Sequence, residues 1–212
     1  MTHIALNHGA IVLTAPSGSG KTTIARYTIG AFPELRFSTS ATTRSPRDYE
    51  EDGVHYYFLS KEEFEQKIEA GEFLEYEEVY PGCYYGTLIS ELVRIDQEGP
   101  ILLDIDVKGA MRVKKLLQDS AITIFIHPPS LEELKQRLVQ RGTESNEWLS
   151  TRLQRAKEEM TYRDKCDYVV VNDDLEQTYS DLKAIVRAER SRRERRPGMS
   201  DFVRELMQER SS

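Results

Sequence analysis

The stretch Ala15-Pro16-Ser17-Gly18-Ser19-Gly20-Lys21-Thr22 stands between a short apolar run rich in β-branched residues, Ala10 to Leu13, and a segment with helical periodicity, Thr22 to Ala31. A buried strand that passes through a glycine-dense turn straight into a helix belongs in a parallel sheet with crossover helices, and few other architectures accommodate it. The turn also has a chemistry. Gly18 and Gly20 let backbone N–H groups converge at the helix N-terminus, where unpaired donors and the helix dipole both favour an anion. Lys21 is placed to bridge β- and γ-phosphate oxygens, and the Thr22 hydroxyl to reach Mg²⁺. Ala15 occupies a position where the general phosphate-loop motif has glycine, but alanine is small and Gly20-Lys21-Thr22 is intact. A nucleotide phosphate chain is therefore the minimum expected ligand.

Three further apolar runs, Ile101 to Ile105, Ala121 to Ile126 and Tyr168 to Val171, are each followed by helical periodicity, so the expected fold class is α/β with a parallel β-sheet flanked by helices. Asp104, at the end of one of these runs, is placed to hold Mg²⁺ through its hydration shell. Helix starts are marked by Ser60 with Glu63, by Ser130 with Glu133, and by Asp174. Between about Phe37 and Ser90 the alternation breaks: His55 to Leu59, Phe73 to Val79 and Tyr84 to Thr87 read as consecutive strands around one helix, an inserted α+β subdomain.

Charge and composition narrow the function. A formal net charge of −7 over 212 residues predicts no nucleic-acid partner, and Arg47 to Glu78 alone holds twelve acidic and three basic residues. The arginine-rich end, 187–212, reads as a solvated helix end and tail. There is no membrane-length apolar run and no secretory leader pattern, and Cys83 and Cys166 suit neither a redox pair nor a zinc site, so a cytoplasmic protein with reduced thiols and no membrane partner is expected. His3, His8, His55 and His127 are scattered, which points to neither metal nor acid/base work.

Beyond the loop, Phe37-Ser38-Thr39-Ser40-Ala41-Thr42-Thr43-Arg44-Ser45-Pro46-Arg47, Asp52-Gly53-Val54-His55-Tyr56-Tyr57-Phe58, Tyr84-Tyr85-Gly86-Thr87 and Leu103-Asp104-Ile105-Asp106 resemble guanylate kinases, which phosphorylate GMP from ATP. The resemblance runs in order from the phosphate loop to about Leu182. It implies a P-loop NTPase core (1–36 and 91–186), a GMP-binding subdomain (37–90), and a helical lid at about 141–155 within the core. It implies ATP as co-substrate on residues 15–23, Thr23 included, with Arg137 over the adenine and Asn172 at its edge. Glu75 and Asp106 match the family's guanine-reading carboxylates, and Ser40 and Thr87 the hydroxyls beside them. Arg44, Arg47, Tyr56 and Tyr85 match the GMP phosphate clamp, and Arg141 and Arg152 the lid arginines that enter on closure, so that Lys21, Arg44, Arg141 and Arg152 would carry catalysis.

Chemistry agrees with these implied roles. Guanine offers N1–H and N2–H₂ donors that two carboxylates accept, whereas adenine would leave both carboxylates unpaired. Guanidinium forks bind phosphate oxygens bidentately. An ionised phosphate acceptor needs no side-chain nucleophile, which leaves alignment and charge neutralisation to the protein. One departure is a turn, Tyr80-Pro81-Gly82-Cys83, one residue longer than the family pattern, which leaves Glu77 and Glu78 as alternatives to Glu75. The competing readings are a non-catalytic scaffold domain of the same fold and a kinase for another small phosphate such as a ribose bisphosphate. dGMP is an expected second acceptor, and the sequence leaves monomer and homodimer equally open.

Overall fold

A computed structural model describes residues 6–140 and 146–192. Its centre is a five-stranded parallel sheet of β1 (Ala10–Thr14), β2 (Arg36–Phe37), β7 (Ile101–Asp104), β8 (Ala121–His127) and β9 (Tyr168–Val171), in the order β2-β7-β1-β8-β9. All five residues of β1 are buried, because helices cover both faces of the sheet. One face packs Leu13, Ile24, Leu102, Ile124 and Leu182, the other Val12, Leu92, Ile101, Leu103 and Val113. The helices are α1 (Lys21–Ala31), α3 (Ile89–Asp96), α4 (Val107–Leu117), α5 (Leu131–Gln140), α6 (Asn146–Met160) and α7 (Leu175–Arg190).

The four apolar runs of the sequence are β1, β7, β8 and β9, all in this sheet. Each marked helix start also forms its cap. Ser60 and Glu63 make a reciprocal capping box on α2 (Lys61–Glu69), Ser130 Oγ accepts from Glu133 N at 3.1 Å, and Asp174 accepts from Gln177 N at 2.8 Å.

A second sheet holds β3 (Ala41–Thr42), β4 (Tyr57–Phe58), β5 (Phe73–Tyr80) and β6 (Cys83–Leu88), in the order β4-β3-β6-β5. The strand expected over His55 to Leu59 is only Tyr57–Phe58, since residues 52–56 turn, with Gly53 N donating to Tyr56 O and an isolated bridge joining Asp52 to Tyr56. Ala41, Phe64 and Leu88 form its small buried cluster, with Tyr57, Leu59, Ile68, Phe73 and Tyr84 packed around them. The hairpin β5–β6 closes through the 80–83 turn, with register shifts between Phe73 and Glu75 and between Glu78 and Tyr80, and Glu75 stands opposite Thr87.

Candidate active site

The carboxyl ends of β1 and β7 open onto a cavity of about 720 Å³ whose wall includes residues 15–22, Ser40, Tyr56, Glu75, Tyr85, Asp104 and Asp106. Chain direction puts them there. In a parallel sheet every strand delivers its loop to the same edge, so the loop after β1 and the loop after β7 meet. Asp104 pairs with Leu13 in register, one strand over.

On the core side, Gly20 has φ +86°, a left-handed conformation that side chains rarely adopt, and a Cβ there would come within 2.5 Å of Asn172 Nδ2. Gly20 caps α1 without a side-chain hydrogen bond, and it lines the cavity together with Lys21 and Thr22 of the first turn. The Lys21 ammonium is ion-paired with the Asp104 carboxylate. Thr22 and Thr23 are exposed at the start of α1, and Thr22 lines the cavity with Asp104. A hydroxyl and a carboxylate are hard oxygen donors of the kind Mg²⁺ accepts alongside waters and phosphate oxygens, so these residues fit that ion. Among the described residues no cluster of three or more His, Cys, Asp or Glu could hold a metal without such help.

Across the cavity Glu75 is 5% exposed, and Thr87 donates its hydroxyl to Glu75 Oε1 at 2.7 Å. Burial raises the Glu75 carboxyl to about 7; Thr87 opposes the rise and the charge of Asp106 adds to it. Asp106 caps α4 by accepting from Lys108 N and Gly109 N, both at 2.8 Å. The alternatives to Glu75 point elsewhere. Glu77 is ion-paired with Lys108 and Arg112, and Glu78 accepts from Gly82 N. The partners explain this: Lys108 and Arg112 of α4 hold Glu77, the pleat turns Glu78 to the opposite side of β5 from Glu75, and Glu75 stands opposite Thr87.

Arg44 and Arg47, expected to clamp the acceptor phosphate, are each paired with a neighbouring side chain. Arg44 donates two nitrogens to Glu50, at 2.8 and 2.9 Å, and Nε to Tyr85 OH at 3.3 Å. The Glu50 hydrogen bond raises the Arg44 pKa, and Arg44 holds the Glu50 carboxyl down at about 2. Tyr56 meets Tyr85 edge-on at 5.9 Å, and burial raises its phenol. Neighbouring Tyr57 instead packs into the small cluster and donates its hydroxyl to Glu91. Arg47 is exposed and donates to Tyr49 OH at 2.9 Å; neither it nor Arg44 nor Thr87 lines the cavity itself.

From α6, Arg152 NH2 donates to Ser17 Oγ at 3.2 Å. Arg141 lies outside the described residues, as does most of the loop from 142 to 147. Arg137 donates to Glu133 and to the Asn172 carbonyl. Asn172 is 4% exposed behind the phosphate loop, its amide donating to Ser19 O at 2.7 Å, so it holds the loop from beneath and does not line the cavity. Four residues were missed in the sequence reading. Glu50 braces Arg44, and Gly109 leaves the space taken by Glu75 Oε2, 2.6 Å from where a Cβ would stand. Arg155 and Glu159 line the cavity from α6 at ion-pair spacing, which is the only trace they leave in the sequence.

A guanylate kinase family model matches residues 7–189. A guanylate kinase of Salinibacter ruber is 58% identical over 166 residues, covering 78% of this chain and 88% of that protein. A guanylate kinase of Novosphingobium aromaticivorans is 43% identical over 196 residues, covering 92% of this chain and 89% of its own. The crystal structure of guanylate kinase from Anaplasma phagocytophilum superposes with a TM-score of 0.70 at 32% identity, covering 89% of this chain and 90% of that one. A family match over residues 7–189, with relatives 43% and 58% identical over most of the chain, leaves one conclusion: the chain belongs to the guanylate kinase family.

Proposed function

We propose that the chain is an ATP:GMP phosphotransferase that moves the γ-phosphoryl of ATP to GMP, and to dGMP, giving ADP and the nucleoside diphosphate. The observation that carries this reading is a single cavity with the phosphate loop on one side and the buried Glu75 with Asp106 on the other. One side receives a polyphosphate, the other a base that presents two adjacent donors. Adenine would leave a buried carboxylate unpaired, at a cost of about 1–3 kcal/mol or more.

The residues divide the work. Residues 15–23 wrap the triphosphate, with Gly18, Gly20, Lys21 and Thr22 offering backbone N–H groups to it, and Lys21 exchanges Asp104 for phosphate oxygens. Arg137 lies on the adenine side, while Asn172 keeps the loop in shape. Glu75, Asp106, Ser40 and Thr87 hold guanine, and Arg44, Arg47, Tyr56 and Tyr85 hold its phosphate. Arg44 has then to share itself between Glu50 and the ligand. Mg²⁺, held by Thr22 and Asp104 partly through water, supplies charge neutralisation on the triphosphate. Arg141 and Arg152 add positive charge as the lid closes, which excludes water from the in-line arrangement. We assign residues 1–36 and 91–186 to the core, 37–90 to the acceptor subdomain, 141–155 to the lid and 187–212 to a charged tail. No helix among the described residues is long and apolar enough to cross a membrane, and we place the protein in the cytoplasm with its nucleotides.

The test is coupled ADP release with ATP, Mg²⁺ and each of GMP, AMP, UMP, dTMP and ribose 1,5-bisphosphate, with Lys21→Ala as the blank. Turnover with GMP that vanishes in the blank is expected. A folded protein that turns over none of them, or prefers another acceptor, overturns the reading.

A further inference from the structure

Helix α6 touches both sides of the cleft through one row of side chains. Arg152, Arg155 and Glu159 are spaced three and four residues apart, so they share a helix face, and all three line the cavity. Glu159 is 8% exposed, and each of its oxygens has a separate partner. Oε2 accepts from the backbone N–H of Ser17 at 2.9 Å, inside the phosphate loop. Oε1 accepts from Arg155 Nε at 2.8 Å. The same guanidinium donates NH1 to the carbonyl of Val79 at 3.3 Å, at the far end of β5 next to the 80–83 turn.

These contacts form one continuous path: loop N–H, carboxylate, guanidinium, carbonyl. It starts where a triphosphate would lie and ends on the strand that carries Glu75. Both ends are backbone, so the path fixes the separation between two main-chain segments. The carboxylate in the middle is buried, and truncating its cationic partner leaves an uncompensated charge, so the link holds as a unit or is lost as a unit.

We propose that Glu159 and Arg155 are positioning residues that couple the two nucleotide sites, so that a nucleotide on the phosphate loop raises the affinity of the acceptor pocket and the reverse. The inference rests on the reading of the cleft as a site for ATP on one side and GMP on the other. Triphosphate draws Arg152 and the rest of α6 toward the loop, Glu159 keeps register with Ser17, and Arg155 carries that register to Val79. GMP closing β5 onto its base pulls the same path from the other end. Coupling of this kind is reciprocal, because either ligand favours the arrangement the other needs.

The test is calorimetric titration of GMP into the full chain, alone and with saturating Mg²⁺ and a non-hydrolysable β,γ-methylene analogue of ATP. The ratio of the two GMP dissociation constants is the coupling factor, and because both are taken on the same variant, a general loss of affinity or stability cancels. For the unaltered protein GMP is expected to bind at least about fivefold tighter with the analogue present. Arg155→Met, Glu159→Gln and the double variant are each expected to bring the factor to within about twofold of one, the double no lower than either single, since all three cut one path. An unaltered protein with no coupling, or variants that keep its factor, overturns the inference while leaving the phosphotransferase reading in place. An unaltered protein that binds neither ligand overturns both. Circular dichroism melts report folding; should Glu159→Gln fail to fold, Arg155→Met decides, because its side chain is 37% exposed and methionine keeps the stem packing.

Discussion

The phosphate-loop side of the cavity is a turn of backbone shaped by two glycines and held from behind by Asn172, with Lys21 and Thr22 at its end, whereas the opposite side is built from the side chains of Glu75, Asp106, Tyr56 and Tyr85. The loop side rests on a core of two large clusters on the faces of a five-stranded sheet. The acceptor side rests on Ala41, Phe64 and Leu88. A site made of backbone on a large core is rigid before ligand arrives, and a site made of side chains on a small cluster is selective and soft. The difference matches the two ligands, since a phosphate chain is recognised by charge and a base by the placement of two donors.

The strongest way to separate the two sides is Phe64→Ala. Phe64 is fully buried between Phe73 and Tyr84, and its truncation is expected to cost about 3–5 kcal/mol, borne by the arm formed by the second sheet and α2. Hydrogen exchange should then accelerate over 41–88 and not over β1 and β8, and GMP binding should fail while an ATP analogue still binds. Exchange rising equally everywhere would mean the two sheets fold as one unit. On the loop side, Lys21→Ala is expected to lower kcat by about 10²–10³ with the melting temperature nearly unchanged, because the lysine acts on charge that develops in transfer. A matching loss of stability would show that the Lys21–Asp104 pair is structural instead.

Glu75→Gln is expected to raise KM for GMP by about 10–100-fold and leave KM for ATP alone. It should also change the pH profile. With the folded-state carboxyl at about 7 against an ordinary 4.5, the folded protein holds a proton that the unfolded chain has already released between those values. Stability of the ligand-free protein therefore falls as pH rises from about 4.5 to about 7 and levels off above, and the glutamine variant loses that slope. GMP, which requires the carboxylate, should bind more weakly as pH falls below about 7, with the excess over Glu75→Gln read by titration. The smallest effect is Ser60→Ala, which removes the α2 capping box at about 1 kcal/mol and should register in exchange of the arm only.

The same contrast governs what the sequence discloses. The strands β1, β7, β8 and β9 are readable because burial on both faces turns them into unbroken apolar runs, and the phosphate loop is readable because its mechanism is local. The short strands β2, β3 and β4 have two residues each, too few for any periodicity, and α3 carries buried Glu91 and Asp96 where an amphipathic reading expects apolar residues. Glu91 is held there by Tyr57 and by Arg94 one turn along the same helix, and Asp96 by Asn7 and His8; all but Arg94 are partners supplied by the fold. Choosing Glu75 over Glu77 and Glu78 takes their tertiary partners: Lys108 and Arg112 hold Glu77, Gly82 N holds Glu78, and Thr87 holds Glu75. Glu50, Gly109, Arg155 and Glu159 acquire their roles only through contacts that a turn or the tertiary fold brings together.

The hydrogen bond from Asn172 to Ser19 joins residues 153 positions apart. The loop leaves the ribosome 153 residues ahead of the side chain that braces it. During synthesis, therefore, the nascent protein carries a complete phosphate-loop sequence long before it has a braced one. Ribosome-bound chains stalled short of residue 172 are expected to pass through immobilised ATP, and those stalled far enough beyond it for the last helix to emerge are expected to be retained. The order of translation would then keep unfinished molecules from sequestering nucleotide.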